Sequence, residues 1–289
     1  MKTLLIGKLH PEAKEILKEN TKLIQMSNED FCATTSLFPE TEALVLRTFT
    51  KCQKNELDFF PNLRYIVSCS VGLNNLDLEE MERRNIKLIH VPGTNANSVA
   101  EHTLYLMLSL LREDSVRPFA ELKNKTIGII GFGAIGKLVA KKLLGFDCKV
   151  IAFDVIAQEQ EVLQTLNTQM KELDEVLSMA DVITIHVPLN KHTQNLINQE
   201  CFAKMKEKSF FINTSRAELL DEKSLLFFNN KFRGIALDVF SDRLKSELNH
   251  DNLILTEHLG AQGEESFRDQ CLKPVAEFLS ILNNNPKHS

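Results

Sequence analysis

The sequence predicts an α/β fold of two domains, each built on a parallel sheet, and three observations carry that prediction. Short runs rich in Ile and Val keep alternating with stretches of helical period, the pattern of βαβ units. The chain has 289 residues, room for about two cored domains. At 43% hydrophobic and 25% charged residues, it has the apolar content to fill those cores, which excludes disorder as the main state.

In the first part, residues 3–6, 43–46, 65–67 and 86–90 read as strands, with helices over 11–18 and 78–85 between them. A long helix follows over about 97–112, for which Ser98 is the expected N-cap and Glu101, three residues on, completes a capping box. The second part reads as strands at 125–130, 149–153, 182–187, 210–213, 235–237 and 253–256, with helices between most of them. A last helix over 266–282 precedes a polar tail.

Charge and cysteine usage narrow the function. The formal net charge of −5 leaves no basic excess to displace counterions from a phosphate backbone, so nucleic acid is not an expected partner. At the amino terminus, Lys8 interrupts an apolar run too short for a secretion signal. No run approaches the roughly 18 apolar residues of a spanning helix, so a membrane is not expected either. The six cysteines are scattered, without a CxxC pair or a Cys/His cluster at metal-ligand spacing. They read as reduced thiols in a cytoplasmic protein that holds no metal.

The strongest single motif is KTIGIIGFGAIGKLVAKKL, where Gly131, Gly133 and Gly136 lie between a β-branched strand and an amphipathic helix. Gly131 would make the tight turn, Gly133 would let backbone amides approach a pyrophosphate, and Gly136 would let the helix pack close to the strand. The helix amino terminus would then present partial positive charge to the phosphates. The next strand, KVIAFD, ends in Asp154, near the offset of about 20 residues at which a carboxylate meets the adenosine ribose. An acid there repels a 2′-phosphate and no arginine follows in DVIAQEQE, which favours NAD over NADP. The plainer reading of Asp154 is a cap on the segment after it.

Further motifs fall in order around that loop. PNLRYIVSCSVGLNNLDLEEMERRNIKLIHVPGTNANSVAEHTLYLMLSLLR, INTSRAELLDEKSL, IALDVF and LILTEHLGAQGEES together resemble the D-isomer-specific 2-hydroxyacid dehydrogenases over nearly the whole chain. The resemblance implies a flavodoxin-like substrate domain over 1–96, completed by the helix 263–289, and an NAD-binding Rossmann domain over 97–262. It implies hydride transfer between NAD(H) and a small D-2-hydroxy acid or 2-oxo acid of the hydroxypyruvate, glyoxylate or phosphoglycerate type.

By the same resemblance, Arg216 binds the substrate carboxylate and polarises the 2-oxo group, a task suited to a planar, permanently charged fork. His258 is the general acid/base, since histidine alone titrates near neutrality without help. His186, at a strand end, and His102, on the long helix, are its rivals among the histidines. Val71 and Gly72 would hold the substrate carboxylate through backbone amides, and Arg47 would face the distal end of the substrate. Ala134 and Ile135 would cradle the pyrophosphate, and Val187 and Pro188 would lie along the adenosine and ribose. Val99, Thr214, Asp238 and Gly260 would approach the nicotinamide end.

The chain departs from the family pattern at defined places. Arg243 holds the position of the expected catalytic glutamate in DVFSDRLKSELNHDNLILTEH, and Asp242 or Glu247 is left as the replacement. Glu257 stands where proline is usual, and Ala217 replaces the glycine after the arginine. Between Arg112 and Lys125 a short segment replaces the longer arm that wraps a partner subunit in relatives, which leaves a homodimer open. The weakened acid and shortened arm also leave a second reading, an NAD(H)-binding sensor or corepressor-like interaction protein with little turnover.

Overall fold

The structure is a computed structural model that describes residues 1–112 and 118–284. In chain order it begins with β1 (Lys2–Ile6), α1 (Pro11–Asn20), β2 (Lys22–Met26), α2 (Asn28–Ala33), β3 (Ala43–Leu46) and α3 (Lys54–Leu57). β4 (Tyr65–Ser68), α4 (Leu78–Arg83), β5 (Lys87–His90) and the long α5 (Ala96–Arg112) follow. Then come β6 (Thr126–Ile130), α6 (Ala134–Leu143), β7 (Lys149–Phe153), α7 (Gln160–Thr165), β8 (Thr168–Met170) and α8 (Leu173–Met179). The chain continues through β9 (Val182–Ile185), α9 (Gln199–Lys204), β10 (Phe210–Asn213), α10 (Glu222–Phe228) and β11 (Gly234–Leu237). It closes with α11 (Asp242–Glu247), β12 (Leu253–Leu255) and α12 (Glu264–Asn283).

These elements form two compact units, one of Met1–Asn95 with Gly263–Ser289 and one of Ala96–Gln262. The first unit holds a five-stranded sheet in the order β2-β1-β3-β4-β5, parallel throughout. Its strands alternate two apolar faces: Leu4 and Ile6 join Leu44, Leu46 and Phe60 on one side, while Leu5 joins Val45, Val67 and Phe278 on the other. Burial on both faces is why these strands read as continuous apolar runs. α12 supplies Cys271, Val275 and Phe278 to the second face, so the last helix completes the unit that the first residues begin.

The second unit holds a seven-stranded sheet in the order β12-β11-β10-β9-β6-β7-β8, also parallel. The winding reverses between β6 and β9, the place where doubly wound sheets leave a crevice at the carboxyl ends of their strands. α5 buries Val99, Thr103, Leu106, Met107 and Leu110 along one stripe, a helical repeat that joins the core of Ile127, Ile129 and Ile212.

Three details differ from the sequence reading. The edge strands β2 and β8 go unread because Lys22–Met26 is mostly exposed and Thr168–Met170 has only 3 residues. Residues 182–187 form a shorter strand than expected, so His186 and Val187 stand in the loop beyond β9. Ser98 is not the N-cap of α5: the helix begins at Ala96, two residues earlier, and Glu101 instead accepts from Asn97 and Lys142. Of the shortened arm, residues 113–117 lie outside the described residues, while Ala120 and Leu122 are buried in the second unit's core.

Candidate active site

The turn between β6 and α6 is shaped by its glycines. Gly131 has φ +94, and a Cβ there would stand 2.7 Å from the His186 carbonyl. At Gly136 a Cβ would meet the Gly131 carbonyl oxygen at 2.2 Å, so only glycine lets the helix come this close. Gly133 differs, because nothing lies within 4 Å of its absent Cβ. It is the N-cap of α6 and gives no side-chain hydrogen bond, and the first turn carries no acid. The amides of Ala134 and Ile135 are therefore left for a ligand, at the positive end of a 10-residue helix. That bare cradle fits a pyrophosphate.

Asp154 follows β7 and turns its carboxylate back toward this loop. Its Oδ2 accepts from the Phe132 amide at 2.6 Å, and its Oδ1 accepts from the Ile156 amide at 2.8 Å. The residue thus caps its own segment and braces the glycine turn together. Each oxygen has a lone pair left for a ribose hydroxyl. Val187 and Pro188 continue from β9 beneath the same turn, where a Cβ on Gly131 would meet Val187 Cγ1 at 2.8 Å.

Arg216 lies after β10, half-buried, with Nη1 donating to the Ser215 carbonyl at 2.7 Å. His258 lies after β12 with a left-handed backbone, φ 55, and is exposed. Partial desolvation of the ring, then the charge of Arg216, holds the His258 pKa below its ordinary value, and Asp238 opposes them. Arg216 and His258 are therefore within electrostatic reach of each other. Among the described residues the His258 ring has no hydrogen-bond partner. Neither Asp242 nor Glu247 serves it: Asp242 is exposed at the start of α11, and Glu247 is held by Arg243 at 3.0 and 3.1 Å. Glu257, in the usual proline position, pairs with Lys245 at 2.8 Å.

The rival histidines are occupied otherwise. His186 is 8% exposed, hydrogen-bonded to Thr184, and burial pushes its pKa down to about 3, so it stays neutral. His102 contacts Asp238 and Thr256. Asp238 is 1% exposed. Burial alone would raise its pKa, but hydrogen bonds from His102, Thr256, Gly260 and Leu259 outweigh that and hold it below the ordinary value. Thr214 shares a hydroxyl contact of 3.1 Å with Thr103, and Val99 is 5% exposed on the same helix. The His102–Thr256–Asp238 cluster is the part that sequence reasoning missed; no local motif joins residues so far apart.

In the first unit, Arg47 follows β3 and Val71 and Gly72 follow β4, all at the carboxyl end of the sheet. Arg47 donates from Nε to the Cys69 carbonyl at 3.4 Å and lies over the Phe267 ring at 4.7 Å. The Val71 carbonyl accepts from His90 Nε2 at 3.0 Å. No group of three or more His, Cys, Asp or Glu among the described residues could hold a metal ion. No helix there is long and apolar enough to cross a membrane.

Comparison with known proteins identifies the family. Residues 95–260 match the family model for the D-isomer specific 2-hydroxyacid dehydrogenase, NAD binding domain. The chain is 33% identical to the hydroxypyruvate reductase of Thermotoga maritima, over 92% of this chain and 95% of that one. It is likewise 33% identical to the glyoxylate reductase of Thermofilum pendens, over 84% of this chain and 79% of that one. Among solved structures, D-lactate dehydrogenase from Aquifex aeolicus complexed with NAD and lactic acid superposes with a TM-score of 0.81 at 26% identity, covering 98% and 96% of the two chains.

Proposed function

Because the chain belongs to the D-isomer-specific 2-hydroxyacid dehydrogenase family and is an NAD-dependent oxidoreductase, we propose that Arg216 and His258 are its working pair. The observation that carries this reading is their mutual placement: an exposed imidazole with no hydrogen-bond partner among the described residues, under the electrostatic influence of a half-buried guanidinium. When bound, NADH supplies the hydride for the 2-oxo carbon, and NAD receives it in the reverse direction. Arg216 holds the carboxylate of a small 2-oxo acid and draws electron density from its ketone oxygen. His258, as imidazolium, gives its proton to that oxygen during reduction and takes it back during oxidation.

The glycine turn, Ala134 and Ile135 hold the pyrophosphate, Asp154 the adenosine ribose, and Val187 and Pro188 border the adenosine. Thr214, Asp238, Gly260 and Val99 are assigned to the nicotinamide end, Asp238 through the loop that its carboxylate holds. In the first unit, Val71, Gly72 and Arg47 are assigned to the substrate, which makes residues 1–96 with 263–289 a substrate domain and 97–262 the NAD domain. We assign a substrate of the hydroxypyruvate, glyoxylate or phosphoglycerate type to a cytoplasmic enzyme that uses neither nucleic acid nor membrane. Any homodimer would form without the longer arm of relatives. The sensor reading finds no support among the relatives reported above.

The test is NADH consumption, with NADPH in parallel, against hydroxypyruvate, glyoxylate, pyruvate, phosphohydroxypyruvate and a bulky aryl pyruvate. One of the small acids is expected to turn over with NADH. His258→Ala should then lower kcat by about 10²–10⁴-fold with NADH still bound, and Arg216→Ala should chiefly raise KM and lower kcat/KM. Full activity in both variants would remove the assignment.

A further inference from the structure

His258 is one of few non-glycine residues here with a left-handed backbone, and its loop is held chiefly by Asp238, with Gln262 Nε2 donating to the His258 carbonyl at 2.9 Å. The His258 amide donates to the Asp238 carbonyl at 2.8 Å and to the Thr256 carbonyl at 3.0 Å. The Asp238 carboxylate then takes the next two amides, Leu259 on Oδ1 at 2.7 Å and Gly260 on Oδ2 at 2.9 Å. A Cβ on Gly260 would stand 3.0 Å from that same Oδ2, a tight contact that would press on the carboxylate. Thr256 completes the ring by donating its hydroxyl to Oδ1 at 2.6 Å.

His102 enters this ring from α5. Its Nε2 is 3.1 Å from Thr256 Oγ1 and 3.2 Å from Asp238 Oδ1. The Thr256 hydroxyl has one proton, and the short bond to Asp238 uses it, so Thr256 Oγ1 can only accept from the imidazole. Both neighbours of Nε2 are thus acceptors, and Nε2 must carry the hydrogen. The ring is further fixed by Tyr105, one turn along the helix, with centroids 5.8 Å apart and planes 29° apart. A buried carboxylate needs all of its donors, and His102 is the only side chain of α5 among them in the described residues.

We propose that His102 is a positioning residue for His258, acting through Asp238 and Thr256 to hold residues 256–260 in the conformation that aims the imidazole at the substrate. It touches neither substrate nor reacting atom. The inference rests on the role proposed for His258, but its structural part can be read without turnover. A misplacement of about 1 Å at a reacting group costs on the order of 10²-fold in rate, so the expected signature is loss of kcat with the cofactor still bound.

The experiment compares wild type, His102→Leu and His102→Gln. Gln keeps a nitrogen donor at the reach of Nε2, whereas Leu keeps volume and removes the donor. Three quantities are read: kcat and KM at saturating NADH, the NADH Kd from nucleotide fluorescence, and amide hydrogen exchange in the peptide covering 256–262. Leu is expected to lower kcat by about 10- to 100-fold, to change NADH Kd by less than about threefold, and to speed exchange at Leu259 and Gly260. Gln is expected to restore most of both the rate and the protection. Unchanged kcat and exchange in the Leu variant would overturn the proposal, as would equal losses with Gln or faster exchange spread through the whole second unit. If wild type reduces no 2-oxo acid, the functional reading fails separately, and the exchange comparison alone still decides whether His102 holds the loop.

Discussion

Each unit contains a strand, a glycine turn and a helix in a sheet that reverses its winding beside that strand, yet only one of the two turns is shaped for a phosphate. In the first unit Gly7 has φ +82, and its missing Cβ faces Asn28 at 3.0 Å. α1 then starts with proline, which has no amide hydrogen to offer, and with Glu12, an anion already paired to Arg268 at 2.8 Å. In the second unit the helix begins on a bare glycine with no acid and no side-chain cap. Winding order gives both sheets a reversal at the carboxyl end, but the free helix-terminal amides and positive end that bind an anion come from the turn residues. The fold supplies the place and the loop supplies the chemistry.

The sharpest way to break that comparison is to give each glycine a methyl group. Gly136→Ala drives a carbon against the Gly131 carbonyl at 2.2 Å, and overpacking of this kind costs about 1–3 kcal/mol. Thermal melting should fall by several degrees and NADH binding should be lost with it. Gly133→Ala meets nothing within 4 Å, so melting should hardly move while NADH Kd rises by roughly tenfold or more, the backbone having lost its close approach to the pyrophosphate. Gly7→Ala is the control in the other unit: at φ +82 it should cost about 1–2 kcal/mol of stability and leave NADH affinity alone. Equal NADH losses at Gly133 and Gly7 would remove the distinction between the turns.

A smaller effect separates the two duties of Asp154. Its carboxylate braces the Phe132 and Ile156 amides and is also assigned to the ribose. Asp154→Asn keeps an oxygen acceptor and removes the charge that repels a 2′-phosphate. The preference for NADH over NADPH should fall by about tenfold, with little change in melting. A variant that melts early and keeps its preference would leave Asp154 with the cap alone.

These contrasts follow what the sequence made legible. The Ile- and Val-rich strands stand out because parallel sheets bury both faces, and the glycine loop stands out because backbone geometry demands that residue type. Lys22–Met26 hides because an edge strand with exposed lysine and glutamine carries no such pattern. Ser98 and Glu101 make a capping box by spacing, but the first turn of α5 lies two residues upstream. At the site, Arg216 and His258 are readable from their motifs, and so is the arginine where a glutamate is usual. The ring of donors around Asp238 is not, because His102 and Thr256 are 154 residues apart and meet only through the packing of α5. Tertiary contacts of that span leave no periodic trace.

The same contrast between a filled and an unfilled site recurs within the second unit, where both carboxylate oxygens of Asp238 are taken and the ring of His258 has no hydrogen-bond partner among the described residues. Desolvation and Arg216 hold the His258 pKa below 6.5, and reduction needs the protonated ring. Reductive kcat/KM should therefore decline as pH rises through a value under 6.5, and oxidation should rise over the same range. Stability follows with the same sign: the folded state binds fewer protons there than the unfolded chain, so this contribution is complete above 6.5 and is lost as pH falls through the lowered value. Arg243→Glu gives up an exposed pair with Glu247 across one helical turn and returns a carboxylate to the place from which it would orient the imidazole. A neighbouring carboxylate favours imidazolium, so the reductive limb should move toward alkaline pH, by up to about one pH unit. A pH profile that does not move would mean that α11 holds position 243 out of reach, and that His258 works with Arg216 and solvent alone.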